Sequence, residues 1–131
     1  MPDPLAAFDL SGRTAVVTGA GSDMGAAIAR QLAGVGARLV LGDLDAGRLE
    51  AAAGSVREAG GNALARVTDV TSPDAVDALV ALAGERPDVM VNLAGVIEDG
   101  EVADTDDASL ERVLAVNLKG VFHGCRAAVR A

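Results

Sequence analysis

The sequence predicts an α/β fold in which a doubly wound parallel sheet is covered by helices on both faces. Three observations carry this. Short apolar runs rich in Val and Leu alternate with stretches whose apolar residues recur at helical spacing. The first run breaks into a glycine-rich turn that opens a helix, Thr18-Gly19-Ala20-Gly21-Ser22-Asp23-Met24-Gly25. The later runs end on the polar residues Asp43, Asp69 and Asn92, at the sheet edge where ligands of such folds bind.

In chain order, Arg13–Thr18 is the first expected strand. A helix follows from Met24 to about Val35, with Ile28, Leu32 and Val35 on one face and Gly34 and Gly36 able to stop it. Ala37–Asp43 is the second strand, and Leu49, Ala52 and Val56 share a face of the alanine-rich helix after it. Gly60-Gly61 makes a turn into a third strand, Asn62–Val70. Ser72 and Pro73 then start a helix, a cap hydroxyl followed by a proline in the first turn. Val76, Leu79, Val80 and Ala83 are its buried stripe. Asp88–Leu93 is the fourth strand. A loop to about Thr105 leads into a last helix through Leu110, Val113, Leu114, Asn117 and Val121, with Thr105-Asp106-Asp107 supplying negative charge at its start.

Right-handed crossovers between parallel strands leave a doubly wound, Rossmann-like fold, with 3-2-1-4 as the expected strand order. Its ligand site lies beyond the strand carboxyl ends, between strands 1 and 4, where the order reverses.

Composition bounds the rest. With 131 residues, half of them hydrophobic and 23% charged, the chain reads as one globular domain with a core of Ala, Val and Leu, because it has two Phe and neither Trp nor Tyr. A net charge of −8 argues against nucleic acid and anionic membrane as partners, since phosphate contacts need clustered Lys and Arg. No apolar run approaches the roughly 20 residues of a spanning helix. Met1-Pro2-Asp3-Pro4 lacks the pattern of a signal peptide, and a single Cys makes no internal disulfide, so a cytoplasmic location is expected.

The glycine-rich turn has the physical requirements of a pyrophosphate site. Small residues let backbone approach the phosphates, and the helix N-terminus presents free amides and a positive dipole end. Gly19 suits the tight turn, and Gly25 keeps side chains out of the helix–sheet contact. Asp43 stands 18 residues after Gly25, near the offset at which an acidic residue binds an adenosine ribose. Its charge repels a 2′-phosphate, and Ser22 rather than Lys or Arg occupies the turn, so NAD is expected and NADP disfavoured. A capping or loop aspartate is the plainer alternative. Asp69 and Val70 end the third strand, where they suit an adenine amine, although a turn aspartate before Thr71-Ser72 is an equal reading. His123 and Cys125 have no partners at metal-ligand spacing and read as ordinary helix residues, with no metal site expected.

These residues together resemble the short-chain dehydrogenase/reductase family from about Phe8 to Ala131. Phe8-Asp9-Leu10-Ser11-Gly12-Arg13-Thr14-Ala15-Val16-Val17-Thr18-Gly19 is similar to its first strand. Its motif Thr-Gly-x-x-x-Gly-x-Gly is matched by Thr18, Gly19 and Gly25. Asn92-Leu93-Ala94-Gly95 resembles its Asn-Asn-Ala-Gly segment, and Val116-Asn117-Leu118-Lys119-Gly120 resembles the helix bearing its catalytic-helper Asn. The resemblance implies hydride transfer between NAD(H) and an alcohol or carbonyl compound. The expected cofactor-binding residues are then Gly19, Ser22, Asp23, Met24, Gly25, Asp43, Leu44, Asp69, Val70, Asn92, Ala94 and Gly95, with Asn117 as helper.

Three departures stand against it. Asp23 replaces the second motif glycine, placing either a helix-capping carboxylate or a repulsive charge near the pyrophosphate. Leu93 replaces the second Asn of its segment. The family's Ser and Tyr-x-x-x-Lys, which polarise the substrate, transfer the proton and hold the nicotinamide ribose, lie beyond this stretch, and the chain has no Tyr. The expectation is a sheet truncated before its fifth strand and a chain inactive alone. A substrate would bind only once a second half completes the site. A homo-oligomer is also expected, paired through the open edge of strand 4 and a bare helix stripe at Val113, Leu114, Val121 and Phe122. A non-catalytic dinucleotide-binding or assembly module is the alternative, and an S-adenosylmethionine-dependent methyltransferase a weaker one, since no acidic residue precedes Gly19 on the first strand.

Overall fold

A computed structural model describes residues 6–131; the segment Met1-Pro2-Asp3-Pro4, read above for a signal peptide, lies outside the described residues. Four parallel strands form one sheet of order β3-β2-β1-β4, the order the sequence predicts. They are β1 (Thr14–Thr18), β2 (Arg38–Asp43), β3 (Ala63–Val67) and β4 (Val89–Asn92). β1 pairs with β2 from Thr14 opposite Arg38 to Thr18 opposite Gly42, and with β4 from Ala15 opposite Val89 to Thr18 opposite Asn92.

Alternation along each strand splits the core in two. Ala15, Val17, Leu39, Leu41 and Ala63 face α1 (Asp23–Gly34) and α2 (Ala46–Glu58), meeting Ala29, Leu49, Ala53 and Val56. Val16 and Val40 face the opposite side, against Val76, Leu79 and Val80 of α3 (Pro73–Val80) and Ala127 of the last helix. These are the sandwiched strands of a parallel sheet, apolar on both faces.

The buried stripe of α1 differs from the expected one. Gly25 and Ala29 are buried, Leu32 and Ala33 pack against the core, and Val35 is 39% exposed. Small residues face the sheet because this helix lies close upon it. Ser72 caps α3 through Ala75 N, with Pro73 in the first turn, and the stripe Val76, Leu79, Val80 and Ala83 is buried as expected. The helix ends at Gly34 and Gly60 lies in the turn before β3, where φ of +86° suits glycine.

β3 is shorter than the expected Asn62–Val70. Thr68 N still donates to Asp43 O at 2.8 Å, but Oδ1 of Asp69 takes both the amide and the hydroxyl of Thr71, folding the chain into a turn. Asp69 and Val70 therefore sit past the strand. The expected last helix is also more broken than its periodicity implies. A short 3₁₀ turn, Val102–Asp104, precedes α4 (Asp107–Leu114), capped by Asp106 through Ser109 N. A π-helical turn, Ala115–Lys119, joins α4 to α5 (Gly120–Arg130).

At the amino end of the sheet Asp88 fastens β4 to β1. Its Oδ2 accepts from Thr14 N and its Oδ1 from Arg13, both at 2.8 Å, and these bonds, the backbone one foremost, hold its carboxyl below the usual range. β4 lies at the end of the strand order. The helix face left open runs through Leu110, Leu118, Phe122 and Val129, each at least half exposed, while Val113, Leu114 and Val121 are partly covered. Of the stripe expected from the sequence, only Phe122 belongs to this open face. No described helix is long and apolar enough to cross a membrane.

Candidate functional site

The carboxyl ends of β1, β2 and β4, with the turn after β3, enclose a cleft of about 250 Å³. Eight of the expected residues line it: Gly19, Ser22, Asp43, Leu44, Asp69, Val70, Ala94 and Gly95. Asp23, Met24, Gly25, Asn92 and Asn117 do not. Leu93 and Val116, from the two later motif segments, and Arg48, Thr68 and Val96, which the sequence did not single out, complete the lining.

The glycine turn is shaped by close approaches. Gly19 has φ of +68°, and a Cβ there would lie 2.7 Å from Ala94 N, so the turn is pressed against the loop after β4. Gly25 lies behind the turn, where a side chain would run into Gly19 O and Ala20. Ser22, not Asp23, caps α1: its hydroxyl accepts from Gly25 N at 3.0 Å and donates to Gly19 O at 2.8 Å. Asp23 is the first helical residue and is exposed. Its N–H and that of Met24 belong to the helix's first turn, where amides have no intrahelical acceptor.

Asp43 couples this turn to β2. Its Oδ2 accepts from Gly21 N at 2.8 Å and its Oδ1 from Asp45 N at 2.9 Å. Each carboxylate oxygen keeps a further lone pair for a ligand hydroxyl. A Cβ on Gly21 would stand 3.0 Å from both Asp43 Cγ and Arg48 Cβ, so these side chains flank the same glycine. Arg48 follows the Asp45 cap on the first turn of α2, its amide donating to Asp45 Oδ1 at 2.9 Å. Its only sequence signal is that placement, one turn beyond an expected ribose ligand.

The far wall is held by side chains that bond backbone. The buried Thr18 Oγ1 accepts from Leu93 N at 3.2 Å and sits within 3.4 Å of Ala94 N. Asn117 clamps Val96 with both ends of its amide, Oδ1 accepting from Val96 N at 2.8 Å and Nδ2 donating to Val96 O at 2.9 Å. The π turn that carries Asn117 is the kind of helix irregularity found at functional sites. His123 Nδ1 lies 2.8 Å from Val70 O, fixing the turn after β3 to α5. Asn92 turns away from the cleft toward α5, its Nδ2 3.5 Å from Cys125 Sγ and its buried Oδ1 without a partner. Among the described residues no group of three or more His, Cys, Asp or Glu is arranged for a metal ion.

A glycine turn opening a helix, an acidic residue ending the second strand and a cleft at the strand-order reversal are the features of the Rossmann-like class of α/β fold. The family model for short chain dehydrogenases matches residues 13–131, and the chain belongs to that family. It is 42% identical over 124 residues to an uncharacterized oxidoreductase of Mycobacterium bovis, covering 91% of this chain and 49% of that protein. It is 43% identical over 127 residues to a galactitol 2-dehydrogenase (L-tagatose-forming) of Cereibacter sphaeroides, covering 95% of this chain and 49% of the relative. Among solved structures, a short-chain type dehydrogenase/reductase from Mycobacterium marinum superposes with a TM-score of 0.92 at 33% identity, over 97% of this chain and 53% of that one. A short chain dehydrogenase/reductase from Burkholderia phymatum in complex with NAD gives 0.89 at 36% identity, over 94% and 45%. The chain thus spans about half the length of the relatives it matches.

Proposed function

We propose that this chain binds NAD(H) in the cleft and is the cofactor half of an oxidoreductase acting on an alcohol or carbonyl compound. The observation that carries this is Asp43, an acidic side chain at the end of β2 that shares one cleft with the glycine turn. The residues present fit a dinucleotide: Gly19 and Gly25 let the turn pack tightly against Ala94 and Ala20, so backbone rather than side chains faces the cleft, and the first turn of α1 offers amides without an intrahelical acceptor. The NAD-complexed relative from Burkholderia phymatum supports the reading.

In this reading the α1 N-terminus holds the pyrophosphate and the spare lone pairs of Asp43 take the ribose hydroxyls. Asp69 and Val70 border the adenine. Thr18 and Asn117 keep the Leu93–Val96 segment against the cofactor as positioning residues. The bound nicotinamide supplies or accepts the hydride. The Tyr that donates the proton in the family has no counterpart among these 131 residues, which contain no Tyr. The open face at Leu110, Leu118, Phe122 and Val129 suits pairing with another copy, and the single Cys supports a cytoplasmic location.

Calorimetry with NADH, ADP-ribose and NADPH tests the cofactor reading. NADH and ADP-ribose should bind alike and NADPH more weakly; tightest binding by NADPH overturns the role of Asp43. The chain alone should reduce no carbonyl compound with NADH above a buffer blank. Light scattering across a concentration series should show association, against which a stable monomer would count.

A second reading, a non-catalytic dinucleotide-binding module, is favoured by one observation. Both ends of the Asn117 amide are spent on Val96, as in a purely structural clamp. A Tyr-x-x-x-Lys encoded downstream in the same frame supports the half-enzyme instead.

A further inference from the structure

We infer that His123, the one histidine of the chain, is a positioning residue for the adenine end of the cleft, acting through the turn after β3 to aim the Asp69 carboxylate at a purine amino group. The inference rests on the dinucleotide reading of the cleft and deepens it.

His123 stands on α5, 53 residues beyond the turn that it touches. A carbonyl oxygen can only accept, so the 2.8 Å contact with Val70 O requires the proton on Nδ1. That oxygen belongs to the Val70–Thr71 peptide, whose N–H donates to Asp69 Oδ1 at 2.9 Å. One peptide plane is thus gripped at both ends, by the imidazole at its oxygen and by the carboxylate at its nitrogen. The Thr71 hydroxyl donates to the same Oδ1 at 2.7 Å. Two donors therefore fix Oδ1, while Oδ2 has no protein donor among the described residues. Asp69 and Val70 both line the cleft.

Gly120 brings α5 close enough for this contact. A Cβ there would lie 2.8 Å from Val70 Cγ2, and positions three apart share a helix face, so α5 meets Val70 with two residues at once. Packing against Gly120 buries the Val70 side chain, and the imidazole adds direction by setting the plane of the peptide that orients Asp69. A 6-aminopurine offers an N–H to Oδ2, whereas a 6-oxopurine presents an oxygen that a carboxylate repels. Discrimination between the two depends on the aim of one oxygen, so loss of the His123 anchor costs selectivity as well as affinity.

The test measures affinities of the whole chain and of His123→Leu and His123→Asn for NADH and for reduced nicotinamide hypoxanthine dinucleotide, which carries a 6-oxo group in place of the amino group. The unmodified chain should prefer NADH by about tenfold. His123→Leu should weaken NADH by about fivefold or more and the hypoxanthine dinucleotide by less than about twofold. His123→Asn should restore most of the preference, because its Nδ2 donates from the position that Nδ1 occupies. Nitrogen NMR of the unliganded, isotope-labelled chain, with the imidazole neutral, should show the Nδ1-protonated tautomer, and it reads independently of whether His123→Leu folds. The Nε2-protonated tautomer, equal weakening of both ligands by His123→Leu, no weakening, or no rescue by His123→Asn overturns the role of His123 and leaves the dinucleotide site standing. Equal binding of the two dinucleotides by the unmodified chain overturns the aim assigned to Asp69. Failure of the unmodified chain to bind NADH overturns the site reading and this inference with it.

Discussion

The backbone amide of Gly21 donates to Oδ2 of Asp43 at 2.8 Å, so the turn proposed to hold phosphate and the carboxylate proposed to hold ribose form one unit. A second bond from Asp45 N to Oδ1 extends that unit to the start of α2. Neither the turn nor the strand end can shift without the other, which presets the spacing of two subsites.

Replacing Asp43 should therefore affect stability as well as selectivity. Asp43→Ala strands two backbone amides and should cost about 1–3 kcal/mol, read from the urea midpoint. Its preference for NADH over NADPH should shrink in calorimetry. Asp43→Asn keeps one acceptor and should recover part of the stability but not the preference. Unchanged stability in Asp43→Ala would show that water replaces the carboxylate.

Asn117 is expected to act through Val96. Asn117→Ala removes both bonds of the clamp and should destabilise by about 1–3 kcal/mol. Hydrogen exchange at Val96 N–H should accelerate far more than at the β1 amides. ADP-ribose affinity should fall several-fold, because the loop from Leu93 to Val96 forms one wall of the cleft. Equal exchange rates in both proteins would remove the clamp from the account.

Gly124 permits α5 to cross β4 closely. A Cβ there would run into Asn92 Oδ1, with Met90 Cε at 2.8 Å, so Gly124→Ala should cost about 1–3 kcal/mol by overpacking. Asn92→Ala removes the obstructing amide, whose Oδ1 is buried without a partner. The double variant should be more stable than Gly124→Ala alone, and additive losses in thermal unfolding would deny the contact.

Asp88 should contribute to the pH dependence, beside Asp9 and Asp106, whose carboxyls are also held low by hydrogen bonds from Ser11 and Ser109. The folded Asp88 carboxyl is held low by Thr14 N first and Arg13 second. A depressed carboxylate contributes in full above its unfolded value of about 4 and loses that contribution as pH falls through the lower folded value. Stability of the natural chain should then decline as pH falls below about 4. Asp88→Asn should be less stable at pH 6 and should lose less between pH 6 and pH 3. Parallel profiles for the two proteins would assign the acid sensitivity elsewhere.

Much of this molecule is readable along the chain because its signals are local. The strands are apolar runs between turns, Ser72 and Pro73 mark a helix start, and the glycines of the first turn meet backbone that only glycine can approach. The handedness of parallel crossovers, a chiral property of every L-chain, narrows the topology to a doubly wound sheet. The end of β3 and the stripe of α1 were less legible. Asp69 takes Thr71 in a turn of its own, and Ala29 is buried in place of a larger residue because the helix lies close on the sheet.

The cleft divides along the same line. Residue types and spacing mark Gly19, Asp43 and the pair Ala94-Gly95, since those positions fall at or just past the ends of strands, whereas the expected Asn92 turns away toward α5. The partners of these residues come from elsewhere in the chain. Asn117 finds Val96, His123 finds Val70, and Arg48 comes to stand beside the glycine that Asp43 holds. Each joins residues far apart along the chain, and the distances between them depend on how helices seat on the sheet. Packing sets those distances, and no periodicity within a single element encodes them.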